Sequence, residues 1–147
     1  MNVKIYSKKA IEELLKRVDK LENTAVISFY DPPNAKGEIA NPVDYKNKAE
    51  MIFQVAVNDI DMEVLPEYGF TFDTFFTEAE ELAEFIKKAN RKNMDIICQC
   101  EYGQSRSAAC AAAILEYYEK KGISIFADYR YYPNQVIFNK IYNALKK

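Results

Sequence analysis

The chain has no histidine and no tryptophan, and only four glycines and three cysteines in 147 residues. Without histidine there is no imidazole general base, no His–Cys dyad and no His-based zinc site. Three cysteines, an odd number, do not make a disulfide framework, so a reducing compartment is expected. Cys98 and Cys100 form only a bare Cys-x-Cys, a poor metal signal, and no metal or other cofactor is expected. No long apolar run stands near Met1 or elsewhere, so neither a secretory signal nor a membrane span is expected, and the compartment assigned is the cytoplasm. A net charge of −2 without a concentrated basic face argues against nucleic acid as a partner. The basic pairs Lys8-Lys9 and Lys146-Lys147 read as solvated helix surface.

What is present is enough for a proper core. At 49% hydrophobic and 14% aromatic content, residues 1–147 are expected to form a single domain. Its most informative stretch is Ile-Ile-Cys-Gln-Cys-Glu-Tyr-Gly-Gln-Ser-Arg-Ser, residues 96–107. An apolar run delivers Cys100 to a short loop containing Gly103, and from Arg106 an Ala-rich segment continues towards Leu115 and Tyr118. That order reads as strand, tight loop, helix. A loop closing onto a helix N-terminus offers free backbone N–H groups and the positive end of the helix dipole, a site for an anion. Those donors stabilise the thiolate of a cysteine at the base of the ring, which makes Cys100 a nucleophile. Arg106 can clamp two phosphate oxygens with its planar guanidinium, and Ser107 can donate to the cysteine sulfur. Phosphoryl transfer through a cysteinyl-phosphate follows from this set.

The segment resembles the Cys-x5-Arg signature of the cysteine-dependent phosphatases. Gly103-Gln104-Ser105-Arg106-Ser107 is similar to the Gly-x-Ser-Arg-Ser form of their dual-specificity branch. The resemblance runs from about Phe53 to Leu145 and includes Arg130-Tyr131-Tyr132-Pro133-Asn134, an Arg-x-x-Pro-Asn pattern preceding the last helix. It implies a phosphoric monoester hydrolase of the protein-tyrosine or dual-specificity kind, with a phosphorylated protein or peptide as substrate. Cys100, Arg106, Ser107 and an aspartate carry the catalysis, and Glu101, Tyr102, Gly103, Gln104, Ser105 and Arg106 form the phosphate loop. The acid is expected after the strand that precedes the long helix. Val57-Asn58-Asp59-Ile60-Asp61 stands there, giving Asp59 as first choice, Asp61 as reserve and Asp73 as a distant third. One departure is plain: the family's histidine before the nucleophile is Gln99 here.

Along the chain, strands are expected at Asn2–Tyr6, Thr24–Tyr30, Met51–Val57 and 95–99, and helices at Lys8–Leu21 behind a Ser7 cap and at Glu78–Asn90 behind a Thr77 cap. A helix from Arg106 to Lys121 with Gly122 as its C-cap, and a last helix at about Asn134–Leu145 with Pro133 in its first turn, complete the pattern. Asn58–Thr77 is a long loop with at most one helical turn. Phe70, Phe72, Phe75 and Phe76 within it are assigned to the core, as are Cys98 and Cys110. Alternating strands and helices imply an α/β fold with a central, mostly parallel sheet flanked by helices on both faces.

Three other readings share some of these features. A phosphate-binding pseudophosphatase module would keep the loop without turnover, and a phosphatase of a non-protein ester would keep the chemistry but change the substrate. A rhodanese-type sulfurtransferase also uses a loop cysteine, without the Arg-Ser ending.

Overall fold

The computed structural model describes all residues, Met1–Lys147. Four strands, β1 (Val3–Ser7), β2 (Leu21–Tyr30), β3 (Ala49–Ala56) and β4 (Asp95–Cys100), form one sheet in the order β1-β4-β2-β3. Every neighbouring pair is parallel, so the sheet is wholly rather than mostly parallel. A parallel sheet needs cover on both faces. Helix α1 (Lys8–Arg17) lies on one, where Ile11 and Leu15 meet Val26, Ile97, Val43 and Tyr45. On the other lie α2 (Ala79–Arg91), α3 (Arg106–Glu119) and α5 (Gln135–Lys146), whose Leu82, Ile86, Ile114, Ile137 and Ile141 join Ala25, Ile27, Ile96 and Cys98 in the main core. A single-turn α4 (Ile123–Phe126) links α3 to α5.

The period-2 alternation of β4 sorts its side chains between the faces. Ile96, Cys98 and Cys100 point into the main core, while Ile97 faces α1. Helix α3 explains its own alanines: residues Arg106 to Ile114 are all buried, because this helix packs against the sheet and α5 at once. Only small side chains allow so close an approach on opposite sides of one helix.

Several boundaries differ from the sequence reading. The apolar spacing Leu14, Leu15, Val18, Leu21 continues a helical period, yet α1 ends at Arg17, Val18 is extended and Leu21 opens β2. The loop after β3 holds a seven-residue 3-10 helix, Met62–Tyr68, rather than at most one turn. Thr77 caps nothing: Glu78 occupies the N-cap position without a side-chain bond, after a turn in which Phe76 has φ +50°. Phe75 and Phe76 are buried and Phe70 and Phe72 pack against the core, as assigned. Lys120, in left-handed conformation, closes α3 in place of Gly122, whose own place is at the start of α4. Pro133 precedes the last helix, and Asn134 caps it by accepting from the Ile137 N–H.

Candidate active site at the carboxyl end of the sheet

Residues 101–105 connect β4 to α3 in a tight loop, and the carbonyls of Glu101, Gln104 and Ser105 are tied to groups outside it. The Lys8 N–H donates to Glu101 O (3.0 Å), Tyr132 N–H to Gln104 O (2.8 Å), and Ala109 and Asn134 N–H to Ser105 O (2.9 and 3.3 Å). None of the loop's own N–H groups, Glu101 through Ser105, donates to a protein acceptor, which leaves them free to bind an anion. Gly103 makes the turn possible. Its φ is +67°, and a Cβ there would lie 2.7 Å from the Ser7 backbone nitrogen. The β1–α1 corner is therefore the outer wall of this loop.

Cys100 lies at the base of the loop, buried, with Sγ 3.0 Å from Ser107 Oγ. Arg106 is only 5% exposed. Its Nη1 donates to Asp31 Oδ1 (2.7 Å) and Val57 O (2.8 Å), while its buried Nε has no partner in the protein. A buried guanidinium N–H without an acceptor leaves a charged donor unsatisfied, one that an anion's oxygen can satisfy.

The structure brings Asp59 to this loop from 46 residues away. Its Oδ1 accepts from Ser105 Oγ (2.7 Å) and from Asn134 Nδ2 (2.9 Å), and the same amide group holds Ile60 O at 3.0 Å. Both donors converge on one oxygen. Oδ2 makes no hydrogen bond within the protein. Asp61 makes no side-chain cap and lines a neighbouring groove, and Asp73 lies in a separate cleft between α2 and α5.

A cleft of ≈480 Å³ opens over the loop, lined by Lys8, Phe29, Tyr30, Asp31, Asp59, Gln99, Glu101, Tyr102 and Arg106 among others. Tyr102 is 77% exposed at its rim. Two of these residues are not apparent from the sequence. Asp31, which directly follows the strand expected at Thr24–Tyr30, orients Arg106. Lys8, read as solvated surface, lines the cleft and fixes its far wall through Nζ to Asn41 O (2.7 Å).

Gln99 points to the opposite face of β4 from Cys100, into a buried polar cluster. Its Oε1 accepts from Ser28 Oγ (2.5 Å) and Tyr45 Oη (2.8 Å), and its Nε2 donates to the Cys100 carbonyl (3.1 Å). Gln54 Nε2 extends the cluster to Ser28 Oγ (3.3 Å) and Val43 O (2.8 Å). Gln99 thus ties the loop before β3 to the strand that carries the nucleophile. Burial pushes the Tyr45 phenol far above its ordinary value, so the hydroxyl stays a donor. Replacing Tyr45 with Phe removes that donor from an otherwise satisfied buried amide, and about 1 kcal/mol of stability should be lost. For a chain of this size that is a fall in Tm of about 3 °C by calorimetry.

Cys98 and Cys110 are free and buried in the core. Burial, and a hydrogen bond from the Cys110 thiol to Cys98, push the Cys110 thiol well up and disfavour its reactive thiolate. No group of three or more histidine, cysteine or acidic side chains is placed to hold a metal ion.

No family model and no curated protein matches the chain by sequence. Solved structures do match. Human DUSP28 superposes over 98% of this chain and 91% of its own, with a TM-score of 0.56 at 18% identity. A mouse putative dual specificity phosphatase complexed with zinc tungstate gives a TM-score of 0.56 at 18% identity, over 98% and 82% of the two chains. PTPMT1 gives 0.53 at 15% identity over 99% and 90%. The fold is dual-specificity phosphatase-like. This likeness reaches well beyond the stretch from Phe53 to Leu145 over which sequence features suggested it, and takes in β1, α1 and β2. No helix is long and apolar enough to cross a membrane.

Proposed function

We propose that residues 1–147 act as one phosphatase domain that hydrolyses phosphoric monoesters through a cysteinyl-phosphate, with phosphorylated tyrosine, serine or threonine in proteins as substrate. The observation that carries this reading is the convergence of Cys100, the unpartnered Nε of Arg106 and the Asp59 carboxyl on one loop of free N–H groups. The anion ring and Arg106 hold the three non-bridging oxygens, and Cys100 Sγ attacks phosphorus opposite the leaving oxygen. The P–O bond to the leaving group breaks as the S–P bond forms, and Asp59 gives its Oδ2 proton to the departing oxygen. In the second step water attacks phosphorus, Asp59 takes up the water proton, and inorganic phosphate leaves with return of the thiolate. Ser107 Oγ, 3.0 Å from the sulfur, stabilises that thiolate as a leaving group.

Ser105 and Asn134 hold the acid in place. Their two bonds to Oδ1 fix the orientation of the carboxyl group and leave Oδ2 facing away from these donors. The presence of Cys100, Arg106 and Ser107 together favours turnover over phosphate binding alone. Glu101, Tyr102 and Gln104 put no lysine in the loop, which disfavours a highly charged headgroup. PTPMT1 has been solved with PI(5)P, so a lipid phosphate is the comparison substrate of choice.

The test is turnover across aryl and alkyl phosphates of graded leaving-group basicity. Asp59→Asn should slow a poor leaving group by about 10²–10⁴-fold, leave an activated aryl phosphate nearly unchanged, and remove the basic limb of the pH–rate profile. Asp61→Asn should do neither. A steeper dependence in Asp61→Asn than in Asp59→Asn would transfer the role to Asp61, and failure of the wild type to turn over any ester would refute hydrolysis.

A further inference from the structure

Beside the catalytic cleft runs a second groove of ≈590 Å³ that none of the steps above uses. Its walls are Asp61, Met62 and Glu63 from the 3-10 segment, Phe126 from α4, and Tyr131 and Tyr132 from the connection to α5. Ser105 and Asn134 form its near edge, and these are the two residues that hold Asp59. The groove therefore adjoins the catalytic cleft with only the Asp59–Ser105–Asn134 ridge between them. The groove is therefore within reach of the residues that flank a phosphate seated in that cleft.

The lining states what fits. Met62 is 48% and Tyr132 70% exposed, an apolar and aromatic surface left open to solvent. Two carboxylates, Asp61 and Glu63, stand among the lining residues, and no lysine or arginine does. Arg130, next in the chain to the lining Tyr131, is already paired: its Nη2 meets Asp128 Oδ2 at 2.7 Å, its Nε reaches both carboxylate oxygens, and the pair holds Asp128 below the usual carboxylate range. Open aromatic faces beside uncompensated carboxylates suit a long aliphatic stem ending in a cation. A free phosphate ester has no part that extends into this groove.

We infer that this groove is the docking site for a lysine or arginine flanking the phosphorylated residue of a protein substrate. The inference rests on the phosphatase reading and deepens it, by making the substrate a phosphoprotein with basic residues near its phosphate. It also gives Asp61 a role in recognition in place of chemistry.

The experiment compares phosphotyrosine peptides that carry Lys, Ala or Glu at each flanking position. Two readouts are taken: kcat/KM with the wild type, and Kd with the Cys100→Ser protein, which does not depend on turnover. At one or more positions Lys should be favoured over Glu by about fivefold, shrinking as salt is raised. Glu63→Lys should abolish or invert that order while leaving the rate on a simple aryl phosphate unchanged. Peptides that are indistinguishable at every position, or a Lys preference undiminished in Glu63→Lys, would overturn the inference. So would a concentration-dependent dimer lost in Glu63→Lys, which would make a second copy the occupant. If the wild type hydrolyses no aryl phosphate, the proposed chemistry fails, and the peptide order measured on Cys100→Ser still decides the groove.

Discussion

Cys100→Ser should reduce turnover of an aryl phosphate by about 10³-fold or more while an oxyanion still binds. The asymmetry follows from what the residue does and does not touch. In the proposed mechanism, binding uses the free N–H groups of residues 101–105 and Arg106, and none of these is altered by exchanging Sγ for Oγ. The proposed chemistry needs the cysteine sulfur as nucleophile, which a serine hydroxyl beside Ser107 cannot replace, since neither residue is a base and the chain holds no histidine to act as one. Tungstate affinity, measured by competition in the wild type and by calorimetry in the variant, should agree within a few-fold. Full activity in the variant would remove the covalent intermediate from the mechanism. Loss of oxyanion binding along with activity would mean that the loop itself had collapsed.

The loop was legible in the sequence because all of its chemistry is contiguous. Strand, turn glycine, arginine and helix follow one another in twelve residues, and each is encoded by local preferences that the fold leaves intact. The residues that complete the site are distant. Asp31 and Asn134 each lie 75 positions from the groups they hold, and Tyr45 lies 54 from Gln99. Their meeting depends on β2 lying next to β4 and on β1 forming the far edge. Hydrophobic period specifies strands but not the order in which they pair. Asp59 could be named as a candidate acid only because it lies three residues beyond the end of β3 at Ala56, while Ser105 and Asn134, which bond to it, carry no sign of that pairing.

Where local reading failed, tertiary structure had overruled it. Leu21 continues the apolar stripe of α1, yet β2 takes it, because its N–H pairs with Lys48 O and its side chain fills the same layer as Ile11 and Leu15. Thr77 has the chemistry of a cap, but the preceding turn is fixed by reciprocal Thr71–Thr74 bonds and buries Phe75 and Phe76, which sets the start of α2 without it. Lys8 looked like surface because its helix neighbours are charged; it became part of the cleft because the loop spanning residues 31–48 folds over it.

The second large effect concerns Arg106, where geometry separates charge from shape. Arg106→Lys keeps the positive charge but should lower kcat by about 10²–10³-fold, because an ammonium cannot hold Asp31, Val57 O and a phosphate oxygen in one plane. Nη1 is committed to Asp31 and Val57 O, so the guanidinium is oriented before any ligand arrives, and in the proposed mechanism Nε meets the anion without reorganisation. A lysine has no second arm with which to be held. Asp31→Asn tests this orientation independently. It retains an acceptor for Nη1 but removes the carboxylate charge, so it should cost much less than Arg106→Lys, and the loss should fall on kcat and KM together as the guanidinium loses its anchor. The decisive comparison is between the two variants on one substrate. Near-normal rates in Arg106→Lys would mean that the loop does not grip phosphate through a bidentate contact. A loss in Asp31→Asn as large as in Arg106→Lys would place Asp31 itself in the chemistry, as a second carboxylate acting on the ester across the cleft from Asp59.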